Sequence, residues 1–295
     1  MNKNILKETN HSGDSMFPLY TSNISIGDKT NMLNCHWHDE LEFILIDSGK
    51  AVFQIESSSY EVSEGEIIII GGGELHSAYS LNSDILCTCK SLIFNSEMLS
   101  SKSSDAIQIK FINPLINNQL NLPHHLACIN ENERSIKTFL LELISTLTSQ
   151  ESNFELMCKS YLYMIFSKVM IMATYKNTTE LLNTNSTSKI DNLKHILNYI
   201  HLNYNKPITL KELASEINMS EGHFCRSFKS ITFKSPIDYL NYYRITRAQN
   251  LLINSNKKIL EICMDVGFNN LSYFINIFKK TVGCTPSAFR KKYMK

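Results

Sequence analysis

One stretch of this chain is written twice, and that duplication constrains the fold more than any other feature. Leu210, Leu213, Ala214 and Ile217 recur as Ile259, Ile262, Cys263 and Val266, at an offset of 49. Phe224, Phe228 and Lys229 recur as Phe274, Phe278 and Lys279, and Pro236 and Tyr239 as Pro286 and Phe289, at an offset of 50. A fixed internal period marks a repeated supersecondary unit. The extra residue falls between two helix patterns, where a turn absorbs it.

Each copy reads as helix, short turn, helix. In the first, Thr209-Leu210-Lys211-Glu212 has the form of a capping box, so a helix starts near Leu210. Asn218-Met219 makes the turn, and Ser220 is an N-cap for a second helix whose Phe224 and Phe228 face inward. In the second copy Gly267 stands where the first helix must end, and Asn270 is the N-cap of the helix that buries Phe274 and Phe278. Helix-turn-helix units place their second helix in a DNA major groove. The outward face of the first such helix carries Glu221, Gly222, His223, Cys225, Arg226 and Lys229; the second carries Leu271, Ser272, Ile275, Asn276 and Lys279. Arg226 suits guanine O6/N7, Asn276 an adenine edge, and Leu271 or Ile275 a thymine methyl. The base-reading set is therefore Gly222, His223, Cys225, Arg226, Leu271, Ser272, Ile275 and Asn276. Lys229, Lys279, Lys280, Arg290, Lys291 and Lys292 are expected on phosphates.

Charge supports this reading. The net charge of +1 hides a polarity: residues 190–295 hold 16 Lys and Arg against 7 Asp and Glu, and residues 1–189 hold 13 against 21. The basic third is drawn to a phosphate backbone and the acidic remainder is repelled by one. The chain lacks a run of about 18 apolar residues, so no membrane span is expected. Met1–Asn10 is polar, which argues against a secretory signal. The eight cysteines form no CxxC pair and read as reduced thiols of a cytoplasmic protein.

Upstream the pattern changes. Residues 20–112 hold short β-branched and aromatic runs, Leu41–Ile46, Ala51–Glu56 and Glu66–Ile70, punctuated by Gly49, Gly65 and Gly71-Gly72-Gly73. Short strands with glycine turns suggest a barrel or sandwich. Residues 131–176 read as two helices. Ile136, Phe139, Leu140, Leu143, Ile144 and Leu147 make one stripe; Phe154, Met157, Tyr161, Met164 and Ile165 make another. Such stripes are core or a subunit face. Residues 177–189, rich in Asn, Ser and Thr, read as a linker.

The strand-rich region carries His36, His38 and Glu42, followed by His76. In an extended strand, positions 36, 38 and 42 share a face. These four groups suit three roles: hydrogen bonding to a polar effector, ligation of Zn, Mn or Fe, or a self-satisfied cluster. Their spacing resembles the two cupin motifs.

At the C-terminal end the resemblance is broader. Arg247-Ala248 with Leu251-Leu252, Ile259 through Gly267-Phe268, Ser272-Tyr273-Phe274, Phe278-Lys279-Lys280, Gly283 with Thr285-Pro286, and Phe289-Arg290 resemble the signature of the AraC/XylS family of bacterial transcription regulators. The resemblance implies seven helices, a long one over about Pro236–Asn254 between two reading helices set one DNA turn apart, on the order of 34 Å. It also implies a small-molecule effector in the N-terminal domain, a homodimer, an activator's contact with RNA polymerase, and no enzymatic role. Phe233 departs from the signature, standing where a helix-ending Gly is usual, and Cys263 stands where Ala is.

The expected architecture is thus α+β in two domains. A cupin-like jelly-roll barrel over 15–124 senses an effector through His36, His38, Glu42 and His76. A helical dimerisation segment covers 125–176 and a linker 177–189. An all-α domain with two helix-turn-helix units covers 190–295. No cofactor is required, although a divalent metal on the same four residues is a candidate. The alternatives are a regulator that senses metal or needs no effector, and a metal-dependent cupin enzyme.

Overall fold

The structure is a computed structural model that describes residues 16–27, 33–81, 86–176 and 184–293, with side chains from residue 189 in the last stretch. The chain divides into two compact units, meeting at Ile190 and Asp191.

The first unit is built on eight strands: β1 (Leu19–Ile26), β2 (Leu33–His36), β3 (Leu41–Ser48), β4 (Lys50–Ile55), β5 (Ser58–Ser63), β6 (Ile67–Ile70), β7 (His76–Ser80) and β8 (Cys87–Phe94). Two-residue strands β9 (Leu120–Asn121), β10 (His125–Leu126) and β11 (Thr174–Tyr175) follow. Every pairing is antiparallel. One sheet runs β1-β8-β3-β6-β10 and the other β2-β7-β4-β5. Ile26, Ile44, Ile46, Ile68 and Ile70 of the first sheet close on Ala51, Phe53, Ile55, Val62 and Ala78 of the second, which gives the double-sheet barrel expected.

The continuous apolar runs in β3 and β6 have a physical cause: both faces are covered. Strand alternation sends Ile44 and Ile46 inward and Leu41, Phe43 and Leu45 outward. The outward set meets helices α2 (Glu131–Ser149) and α3 (Phe154–Met172), which follow a short α1 (Asn113–Ile116). Phe43, Phe94 and Phe166 meet there with ring centroids 5.9–6.3 Å apart.

This corrects two expectations. The helices of 131–176 are one layer of the barrel unit, because His125–Leu126 is an edge strand and the α2 stripe Ile136, Leu140, Leu143, Ile144 and Leu147 is buried against the sheet. The apolar face left outside lies on α3: Leu156, Met157, Tyr163, Met164 and Ile171 are exposed. Of the expected linker, residues 177–183 fall outside the described residues, and 184–189 belong to a helix.

Among the described residues the second unit has the seven helices implied: α4 (Thr184–Asn203), α5 (Leu210–Ser215), α6 (Glu221–Thr232), α7 (Pro236–Asn254), α8 (Ile259–Asp265), α9 (Leu271–Val282) and α10 (Pro286–Tyr293). The duplication is visible in its packing. Phe224, Phe228 and Tyr239 form a chain of edge-on rings at 5.6 and 5.8 Å. Phe274, Phe278 and Phe289 repeat it at 5.8 and 5.7 Å. Gly267 has φ +90°, and a Cβ there would lie 2.5 Å from the Tyr204 carbonyl oxygen, so both the turn and the close approach require glycine.

Candidate nucleic-acid interface and histidine cluster

The second helix of each repeat carries the same profile: Phe224 and Phe228 are buried in α6 as Phe274 and Phe278 are in α9, with exposed residues between. Gly222, His223 and Arg226 of α6 are exposed, and so are Ser272 and Asn276 of α9. Leu271 and Ile275 are half-buried and pack against the core of the second repeat, so their methyls are partly withdrawn from a groove. Cys225, the equivalent of Ile275, is half-buried too. Of the eight residues expected to read bases, Gly222, His223, Arg226, Ser272 and Asn276 are thus exposed, and Cys225, Leu271 and Ile275 are half-buried.

The caps differ between copies. Thr209 and Glu212 form the expected capping box at the start of α5. At α9 the Asn270 side chain accepts from the Tyr273 backbone N–H at 2.9 Å. Ser220 has the extended backbone of an N-cap at α6 but makes no side-chain cap bond. At the other ends, Gly283 closes α9 at φ +83°, whereas Phe233 closes α6 at φ +58°, a backbone region costly for a bulky residue.

Among the expected phosphate contacts, Lys229, Lys279, Lys280, Lys291 and Lys292 are exposed. Arg290 is corrected. Its Nη2 donates to the Lys257 carbonyl at 2.7 Å and its Nε to Leu252 at 3.4 Å, so the fork closes the turn between α7 and α8. Arg244 does the same for the turn after α4, donating to Tyr204 at 2.7 Å and Lys206 at 2.8 Å. Sequence gave no sign of this shared job, since the acceptors are distant backbone carbonyls.

Sequence reasoning also passed over Tyr273. It is an exposed side chain on α9, its ring lies 5.9 Å from Phe268, and its hydroxyl accepts a hydrogen bond from buried Asn241 of α7 at 3.0 Å.

In the barrel, His36, His38, Glu42 and His76 do come together, by a route other than a shared strand. His36 ends β2, His38 lies in the turn after it, Glu42 is in β3 and His76 begins β7. Glu42 keeps the inward phase of Ile44 and Ile46, and His36 is paired with His76 across the other sheet. The turn is held tightly: Gly73 N–H donates to the His38 carbonyl at 2.6 Å, and a Cβ on Gly72 would collide with the Asp39 carbonyl.

Each imidazole is fixed through Nδ1 to a backbone carbonyl: His36 to Asn34 at 2.7 Å, His38 to Glu40 at 3.0 Å, and His76 to Glu74 at 2.9 Å. A carbonyl only accepts, so each Nδ1 carries the proton. The Nε2 atoms of His38 and His76 lie 3.2 and 3.4 Å from one oxygen of Glu42, whose other oxygen accepts from the Ser91 hydroxyl. One ligand nitrogen from each of the three histidines lies within 4.8 Å of the others. Burial, then the neighbouring His76 and His38, push His36 down to about 3. Burial alone would lower His38 as well, but the hydrogen bond and charge of Glu42 raise it. Burial opposes the charge on Glu42, yet the His38 hydrogen bond and the His76 ring beside it hold its carboxyl well below the usual range.

Comparisons with known proteins agree with both halves. Residues 27–166 match a family model described as an AraC-like ligand binding domain, and residues 213–292 match a helix-turn-helix domain. The chain is 28% identical to the uncharacterized HTH-type transcriptional regulator YdeC of Bacillus subtilis, over 97% of this chain and 96% of that protein. It is 21% identical to the transcriptional activator RhaR of Mannheimia succiniciproducens, over 88% of each. Among solved structures it is similar to ToxT of Vibrio cholerae, at 18% identity and a TM-score of 0.44, covering 94% of this chain and 100% of that one. A duplicated groove-reading unit on a basic domain, joined to a barrel that matches a ligand-binding domain, places this chain in the AraC family of DNA-binding transcription regulators.

Proposed function

We propose that this regulator answers to a divalent transition-metal ion held in its barrel by His36, His38 and His76, with Glu42 beside them. The observation that carries the proposal is the convergence of lone pairs. With all three Nδ1 atoms on backbone carbonyls, Nε2 of His38 and of His76 face one buried carboxylate, and a ligand nitrogen of His36 lies within 4.8 Å of theirs. Without an ion, a proton on His38 satisfies Glu42, while His76 Nε2 makes no hydrogen bond of good geometry. A cation would satisfy all of these atoms at once. Imidazoles oriented by carbonyls are the usual outer shell of a metal site, and three nitrogens with one oxygen suit Zn, Mn or Fe. An organic effector touching all four residues, the first expectation, needs space between them, yet the rings are 4.1–5.9 Å apart, centroid to centroid.

The ion would act by binding one arrangement of the chain more tightly than another, which changes the affinity for DNA by the same factor. The purified full chain should bind close to one equivalent of Zn, Mn or Fe, and its DNA affinity should change when the metal is removed by a chelator. His76→Ala should abolish both while keeping basal DNA binding. Absence of metal uptake by a folded wild-type chain would overturn the proposal.

Two further parts of the reading rest on other observations. Met157, Met164 and Ile171 recur every seventh residue on the outer face of α3, with small Ser160 and Ser167 beside them. That spacing fits a seam against α3 of a second copy, so the regulator works as a homodimer; Met164→Glu should yield monomers in sedimentation. The output is transcription through RNA polymerase, in the bacterial cytoplasm where the target DNA lies, and among the described residues no helix is long and apolar enough to cross a membrane.

A further inference from the structure

We infer that Tyr273 is a DNA-contacting residue of the second reading helix, its hydroxyl proton donated to a backbone phosphate, and that buried Asn241 is the residue that positions it. Three anchors fix this side chain. Its backbone N–H is held by Asn270 at 2.9 Å, its ring rests on Phe268, and its oxygen accepts from Asn241 Nδ2 at 3.0 Å. Phe268 is itself held under the Arg244 guanidinium, 5.4 Å from its ring centre. A tyrosine fixed at three points normally belongs to a core, yet Tyr273 is 47% exposed.

Hydrogen-bond counting gives the hydroxyl its task. A phenol has one proton to donate and an oxygen that accepts. Asn241, an amide and only 7% exposed, takes the accepting side. Among the described residues the hydroxyl's hydrogen bond is the one it accepts from Asn241, so its own proton is still there to donate. Orienting a hydroxyl from behind while its front stays open prepares it for an external acceptor.

The place on the helix selects phosphate over base. Tyr273 lies in the first turn of α9, where reading helices approach DNA. Ser272, Asn276 and Lys279 form the exposed ridge, and Tyr273 stands beside it on the side turned to α7. Helix α7 joins the two repeats, so that side meets the sugar–phosphate strand running between two successive major-groove segments. The first repeat lacks this device: its equivalent residue is His223, whose Nδ1 lies 3.3 Å from Met219 Sδ.

The test uses the full chain and a duplex that it enriches from a random pool. Tyr273→Phe keeps the ring and removes the proton. It should weaken binding about ten- to a hundredfold, the scale of one hydrogen bond to a charged acceptor, with equal loss on the enriched and a scrambled duplex. Replacing single phosphates by neutral methylphosphonates should find one position that costs the wild type several-fold and costs Tyr273→Phe nothing more. Asn241→Leu should weaken binding about two- to threefold and add nothing to Tyr273→Phe, because a positioning residue acts only through the group it positions. Wild-type affinity for Tyr273→Phe would overturn the assignment. So would additive losses at every phosphate, or a loss that merely follows a lowered melting temperature, which would make the Asn241–Tyr273 bond structural alone.

Discussion

The two helix-turn-helix repeats bury the same residues and finish their reading helices differently. Both stack three aromatic rings edge to edge behind the reading helix. The second has a side-chain N-cap, a glycine at its left-handed C-terminal residue and a tyrosine pinned to the long helix. The first has Ser220 without a cap bond and Phe233 in a backbone conformation that costs roughly 1 kcal/mol or more for a residue with a Cβ. Core packing therefore defines the unit, while the ends of its reading helix are free to diverge. The second repeat holds its reading helix at more points than the first does.

Removing the shared feature should have the largest effect. Phe224→Ala and Phe274→Ala should each destabilise the DNA-binding unit by about 3–5 kcal/mol in urea unfolding. A cost below about 1 kcal/mol at either site would break the equivalence of the two cores. Acid should separate the copies next. His201 stacks on Tyr243 at 3.7 Å and meets the Tyr239 hydroxyl at 3.0 Å, against the first repeat. Burial, then the Arg247 charge, lower it from 6.5 to about 3. The unfolded chain takes up a proton below pH 6.5 that the folded one refuses, so this stability is whole above 6.5 and drains away toward pH 3. The loss should be on the order of 4–5 kcal/mol, and His201→Phe should flatten it. An unchanged acid profile for that variant would remove His201 from the account.

Smaller effects should fall on DNA reading. Arg226→Ala should cost about 1–3 kcal/mol on the preferred sequence and relax one base position, whereas Lys279→Ala should weaken all sequences alike and flatten the salt dependence. Equal losses on specific and random DNA for Arg226→Ala would strike it from the readers. The caps come last. Asn270→Ala should cost about 1 kcal/mol and Ser220→Ala close to nothing. Phe233→Gly should stabilise by up to about 1 kcal/mol, and Gly283→Ala should destabilise by a similar amount. Matching effects at Ser220 and Asn270 would erase the contrast drawn at the helix starts.

How much of this was legible in the sequence depended on the range of each interaction. The repeats were legible because helix periodicity and the phenylalanine spacing are local, and Gly267 because only glycine serves its turn. Phe233 was legible as a departure, and its left-handed backbone is the structural counterpart. The four barrel residues could be named, but the carbonyls that fix the imidazoles could not, since no residue type encodes them. The α2 stripe was ambiguous for a physical reason: a helix-period pattern says that a face is covered and not whether a sheet of the same chain or a second copy covers it. Arg290 and Tyr273 were misplaced or missed because their partners lie 33 to 38 and 32 residues away.

The arginine forks that close the turns ahead of α5 and α8 have a consequence for the target. Each repeat becomes a hard block, and the two blocks are joined by α7, whose 19 residues give a strut roughly 28 Å long. A strut is a ruler. One base pair inserted between the two contacted segments would swing the far groove by about 35°, given some 10–10.5 base pairs per turn, and neither clamped block has slack to follow it. The expected operator is therefore one of fixed internal spacing, and inserting a single base pair between its two contacted segments should lower the measured affinity as much as a wrong letter does.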